Sequence, residues 1–266
     1  MAPLSSSNLH PLIRKLESIA PVSEQERQAI INLPLTVRDL KADQDIVRDQ
    51  DRPSQCCAIL EGFACRYKIL PCGKRQIFSF HIPGDIPDLQ SIHVEIMDHS
   101  LGTVVPSKVA FIAHETIRPF IRAHPRIGDV FWRETLIEAG IFRAWMAGLG
   151  RREAYERIAH LFCELYVKFS AIGQTNGSAF AMPLTQAELG DALGLSTVHV
   201  NRTLQALRAK GLIRTRNGNV LVEDWEGLQR AAEFDPTYLH IRQTAGGGPS
   251  SLSPGHLGSP PPQPEA

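Results

Sequence analysis

The chain has 266 residues, and its 28 Lys and Arg are balanced by 28 Asp and Glu. Hydrophobic residues make up 43% and charged residues 21%, a globular composition that argues against a disordered or fibrous chain. No apolar run approaches the roughly 18 residues needed to span a bilayer, and Met1–His10 lacks the basic start and apolar core of a secretory signal. Five cysteines, with Cys56 and Cys57 adjacent, form no disulfide framework. A cytoplasmic chain without membrane contact is expected, and at zero net charge any nucleic-acid contact must be local.

The first segment, 1–34, reads as helical, with Ser23 and Glu26 spaced as a capping box. From 35 to 124 short apolar runs such as Cys57-Ala58-Ile59-Leu60 and Gln76-Ile77-Phe78-Ser79-Phe80 alternate with turn signals. Those signals include Glu61-Gly62, Pro71-Cys72-Gly73-Lys74 and Pro83-Gly84-Asp85. Such punctuation predicts a β-sandwich or barrel.

A long helix is predicted over 125–149. Val130, Glu134, Ile137, Ile141, Ala144 and Gly148 step by four and three, which suggests a seam against a second subunit, with another face on the β-domain; a helix packing on the β-domain alone is the alternative. Val130, Ile137, Ile141 and Ala144 are the expected dimer contacts. Gly148 and Gly150 are expected to interrupt the helix and form a hinge. The tail 244–266, in which 15 of 23 residues are Gly, Pro or Ser, is expected to be disordered.

The informative stretch is Leu184–Ile213. Thr185 and Glu188 form a second capping box, Gly194-Leu195-Ser196 a tight turn, and Ser196 a cap for a helix ending near Gly211. Two short helices joined by such a turn are a helix-turn-helix. On the second helix Val200, Leu204 and Leu207 share the core face, with Val198, Asn201, Arg202 and Gln205 roughly opposite. Arg and Asn there suit bidentate contacts to guanine and adenine edges. Arg202–Arg216 holds five Lys or Arg and no acid. Asn217-Gly218 predicts a type I′ hairpin, placing Arg214 and Arg216 on a wing near phosphates. Thr185, Gln186, Ser196, Thr197 and His199 complete the expected DNA contacts.

This layout resembles the Crp/Fnr family over about residues 10–240. The resemblance is carried by the strand punctuation, the long helix, Arg157-Ile158-Ala159 and the 184–213 motif ending Lys-Gly-Leu-Ile. It implies an α+β fold with three parts: a cyclic-nucleotide-binding-like β-roll, a dimerisation helix, and a winged helix-turn-helix over 150–243. It further implies a homodimeric transcription regulator on palindromic double-stranded DNA, with RNA polymerase as a partner. The family's ligand elements are changed, however. Its Gly-Glu-Leu falls at Pro87-Asp88-Leu89 and its Arg-Ser/Thr-Ala at His99-Ser100-Leu101. Its Thr-Ser pair falls at Phe142-Arg143. A histidine is a weaker anion partner than a guanidinium, so a degenerate pocket and an effector other than cyclic AMP are expected. Its Arg-Glu on the recognition helix falls at Thr197-Val198, and valine packs on a thymine methyl where glutamate accepts from cytosine.

Cys56, Cys57, Cys65 and Cys72 lack zinc or iron–sulfur spacing. Successive strand residues face opposite ways, so Cys56 and Cys57 point apart. No metal or cofactor is predicted, and no catalytic motif is present. Alternatives within the fold are a cyclic-nucleotide-responsive regulator, or a redox-responsive one using Cys72 beside Lys74 and Arg75. An interaction adaptor that has lost DNA readout is a third.

Overall fold

The computed structural model describes residues 10–242, and the tail 244–266 lies outside them. Two helices open the chain, α1 (His10–Ile19) and α2 (Glu24–Ile31), the second started by the Ser23–Glu26 capping box. Seven strands follow: β1 (Thr36–Leu40), β2 (Asp45–Val47), β3 (Gln55–Glu61), β4 (Ala64–Ile69), β5 (Arg75–His81), β6 (Ser100–Thr103) and β7 (Ser107–Ala113). They form two antiparallel sheets, β1-β7-β3 and β2-β6-β4-β5. The β3–β4 turn requires Gly62 at φ +95°, where an added Cβ would lie 2.2 Å from Ser107 Oγ.

Strand β3 is covered on both faces, so its sequence is apolar without alternation. Cys56 belongs to the cluster under α1 and α3 (His114–Ala123), whereas Cys57 packs inside the roll with Ile59, Leu101 and Phe111. The helical part begins at His114, ahead of the expected Pro125. Helix α4 spans Pro125–Arg151 and α5 Ala154–Ala171. The C-terminal part contains β8 (Ala179–Ala181), α6 (Gln186–Leu193), α7 (Thr197–Ala209), β9 (Ile213–Arg216), β10 (Asn219–Val222) and α8 (Trp225–Ala232). One apolar cluster runs from Phe63, Ile77 and Phe80 of the roll through Ile141, Trp145 and Phe162 to Leu204 and Leu228.

Two expectations need correction. Helix α4 runs unbroken through Gly148 and Gly150. The chain turns instead at Arg152, at φ −87° and ψ 148°, where Glu153 N–H donates to Glu156 Oε2 at 2.9 Å and starts α5. Helix interiors tolerate a glycine at a cost of about 1 kcal/mol, which tertiary packing readily offsets. The stripe expected to face a second subunit is largely covered within the chain itself. Ile137 and Ile141 are buried within the chain's own core, Val130 packs partly against it, and Ala144 is half-buried in a cleft beside Trp145. Periodicity marked a covered stripe but not what covers it. The apolar residues of α4 left in water include Trp132, Leu136 and Met146, at 63%, 51% and 73% exposure. At 100° per residue these three lie within one stripe.

A buried ionic cluster joins the parts. Asp85 Oδ1 accepts from Lys15 Nζ of α1 at 2.8 Å, and Asp85 Oδ2 accepts from Lys168 Nζ of α5 at 3.0 Å. Lys15 also lies 2.9 Å from Glu134 of α4, and Lys168 donates to the Phe80 carbonyl at 3.2 Å. Burial alone would raise the Asp85 carboxyl, but the two ammonium groups hold it well below the usual range. Asp85→Ala would leave both lysines buried without their shared partner, at a cost of about 3–5 kcal/mol, read as a lower denaturation midpoint. Because the Asp85 pKa is depressed, its contribution is fully present above the unfolded value near 4 and is lost as pH falls below it. The gap between wild type and Asp85→Asn should therefore narrow only below about pH 4. A gap that is constant down to pH 2, or absent at pH 7, would contradict the account.

Candidate nucleic-acid interface and effector pocket

The helix-turn-helix forms from local signals. Thr185 caps α6, accepting from Glu188 N–H at 3.2 Å and donating to Glu188 Oε2 at 2.8 Å. Gly194 ends α6 at φ +65°, a left-handed position that favours glycine. Ser196 Oγ then accepts from His199 N–H at 3.3 Å and starts α7.

On α7, Val200, Leu204 and Leu207 are buried, while Thr197, Val198, His199, Arg202 and Gln205 are exposed and Asn201 is half-exposed. Asn201 Nδ2 donates to Gln186 Oε1 at 3.3 Å, so the exposed start of α6 restrains one side chain of the recognition helix. Asn217 and Gly218 sit at φ +49° and +70°, as a type I′ turn between β9 and β10 requires. Arg216 is exposed at that turn. Arg214 is paired with Glu223 at 2.5 Å, so a phosphate would have to compete with a carboxylate for it.

Some contacts at this interface carried no sequence signal. Strand β8 pairs with β10 and makes the wing three-stranded. Arg208 donates to Thr215 Oγ1 at 2.9 Å, tying α7 to the wing. Arg75 of β5 meets Asp191 of α6 at 2.8 Å, and Gln76 donates to the Ala192 carbonyl at 3.1 Å. Arg157 donates to the Leu193 carbonyl at 2.6 Å. The last turn of α6 is thus fastened to the roll and to α5, while the front of α7 is free.

The residues expected to line an effector pocket are engaged elsewhere. Asp88 is buried and accepts from Cys57 N–H at 2.7 Å, yet burial pushes its carboxyl up to about 6. Leu89 opens a short 3-10 turn (Leu89–Ile92) and packs in the cluster with Leu12 and Ile86. His99 Nδ1 lies 2.6 Å from Asp98, and burial, aided by the charge of Arg66, pushes the imidazole down to about 4. It is therefore neutral at pH 7. Ser100 Oγ accepts from Asp49 N–H at 3.0 Å. Arg66 bonds to the Pro87 carbonyl, lies 3.4 Å from Glu138, and stacks 5.4 Å from the Phe142 ring centroid. Arg143 is exposed on the outer side of α4. Asp88, His99 and Phe142 lie around Arg66, whose charge acts on the first two and whose guanidinium stacks on the third.

Comparison with known proteins agrees with this anatomy. Residues 37–124 match the cyclic nucleotide-binding domain family, and residues 156–231 match the Crp-like helix-turn-helix domain family. The transcriptional activator protein FnrA of Stutzerimonas stutzeri is 25% identical over 77% of this chain and 83% of its own. The nitrogen fixation regulation protein FixK of Bradyrhizobium diazoefficiens is 27% identical over 68% of this chain and 75% of its own. The solved structure of FixK2 from Bradyrhizobium japonicum shares the fold, with a TM-score of 0.66 and 22% identity, over 75% of this chain and 98% of that one. With a roll of the first family, a helix-turn-helix of the second and the long helix between them, the chain belongs to the Crp/Fnr family.

Proposed function

We propose that this chain is a cytoplasmic, non-catalytic transcription regulator that binds a palindromic operator as a homodimer and engages RNA polymerase. The observation that carries the DNA-binding role is the front of α7. It is solvent-exposed, bears Asn201, Arg202 and Gln205 opposite a buried face, and is followed by a basic wing. A recognition helix meets base edges with residues of its first turns, which is where these side chains lie. Engagement of RNA polymerase is carried over from the family alone.

Support for the dimer comes from the outer stripe of α4. Trp132, Leu136 and Met146 are large and apolar, and they leave a helix face without a partner among the described residues. A second copy would cover it isologously, with the same patch on both subunits. Leu136→Asp should yield monomers in sedimentation while keeping the fold. Ile141→Asp, which places a charge in the chain's own core, should instead lower stability. Monomeric wild type at micromolar concentration would rule out this face as the seam.

Arg202 is assigned to base readout and Arg216 to phosphate. Arg202→Ala should lose about 1–3 kcal/mol of discrimination per half-site, with nearly unchanged binding to scrambled DNA. Arg216→Ala should weaken all duplexes alike and reduce the salt slope by about 1 for each lost contact. Competition binding at fixed salt, with an operator selected from random DNA, separates the two roles. Equal losses of Arg202→Ala on operator and scrambled duplex would make Arg202 another phosphate clamp.

The effector is proposed to be something other than a cyclic nucleotide. Neutral His99 supplies no fixed cation for a phosphate, and Arg66 is held by Glu138 and the Pro87 carbonyl. Calorimetry with cyclic AMP or cyclic GMP should show no saturable binding below about millimolar concentration. Micromolar binding that tightened operator association would overturn this.

A further inference from the structure

Among the described residues after Arg151, Val198 is the large hydrophobic side chain that the fold leaves in water, at 68% exposure. It lies in the first turn of α7, and its immediate exposed neighbours Thr197 and His199 are polar. No packing among the described residues covers it. A β-branched residue is a poorer helix former than alanine, and at this exposure valine gains almost no burial. Four residues on, Arg202 shares its face of the helix, and Asn201 beside it is restrained by Gln186. The exposed surface is therefore an apolar tip next to a guanidinium, about 6 Å apart along the helix axis.

The major groove offers few groups that match such a tip. Base edges there are hydrogen-bond donors and acceptors, apart from the C5-methyl of thymine. 5-Methylcytosine presents the same methyl on a different pyrimidine. A valine pressed against an unmethylated cytosine would cover its N4 amino group without accepting from it, and a buried unmatched donor is unfavourable.

We propose that Val198 reads a pyrimidine C5-methyl lying within about two base steps, at 3.4 Å each, of the guanine taken by Arg202. Operator choice then depends on the methyl group itself, with thymine or 5-methylcytosine preferred over cytosine. The proposal rests on the DNA-reading role above and adds the chemical group that is read.

The test uses the full chain and an operator selected from random duplexes. Each thymine of the half-site is replaced in turn by deoxyuridine, which lacks only the methyl. One thymine near the Arg202-dependent guanine should matter, by about fourfold per half-site and about fifteenfold for both, as expected for one buried methyl. The same position carrying 5-methylcytosine should bind tighter than cytosine by a similar factor. Val198→Ala, a substitution at an exposed site, should fold normally and lose both methyl effects together. Val198→Glu should reverse the preference toward cytosine, whose N4 amino group a carboxylate accepts. An operator bound equally well with every thymine replaced, while Arg202→Ala still loses its guanine, would overturn the proposal and leave the regulator reading intact. Failure to select any operator would overturn both.

Discussion

The parts of this molecule are held in register by one buried carboxylate. Asp85 sits where the roll's β5 gives way to the loop that reaches Asp88, and its two oxygens take one lysine from the first helix and one from α5. Neither lysine has water to fall back on, so both depend on Asp85, with Glu134 as a second carboxylate for Lys15. Around it the cluster holds three cations, Lys15, Lys168 and Arg66, against four carboxylates, Asp85, Glu134, Glu138 and Glu164. Glu134 and Glu164 are the two whose carboxyls stay above the usual range, since burial outweighs the partners they have. Glu164 is met mainly by neutral donors, Trp145 Nε1 at 3.1 Å and Tyr238 OH at 2.7 Å. A shift of the loop after β5 therefore reaches α1, α4 and α5 together.

That constraint places the reading head. α5 carries Lys168 near one end and Arg157 near the other, and Arg157 holds the last turn of α6 through the Leu193 carbonyl. From the roll side, Arg75 and Gln76 hold the same turn. The helix-turn-helix is thus fixed at the end of α6, directly before the Gly194 turn, and α7 projects from that fixed point. Within the roll, Arg66 is held by the Pro87 carbonyl and Glu138, His99 by Asp98 and Asp88 by Cys57 N–H.

Most of what was legible in the sequence is local. The Thr185–Glu188 and Ser23–Glu26 boxes, the Gly194 turn, the Ser196 cap and the Asn217-Gly218 hairpin each act over four residues or fewer, and each is formed as the residues predict. The sorting of α7 into a Val200–Leu204–Leu207 core side and a polar side was legible for the same reason, because one helix period decides it. What could not be read depends on partners far along the chain. The stripe through Ile137 and Ile141 is as periodic as a dimer seam, yet α1, α5 and the roll cover it. Glu134 in its middle is acceptable only because Lys15 arrives from more than a hundred residues earlier. Likewise Arg75 gives no hint of Asp191, and Phe142 gives none of Arg66. Strand β8, three residues long, is fixed by its pairing with β10 rather than by its own composition.

In the proposed regulator, two copies of this winged helix, related by the outer face of α4, read one duplex together. Hydroxyl-radical footprinting of the full chain on a selected operator tests it most directly. The account predicts two symmetric sets of protections on one face of the duplex, centred about one helical turn, roughly 34 Å, apart. A single protected half-site, or protection without phase along the duplex, would contradict it.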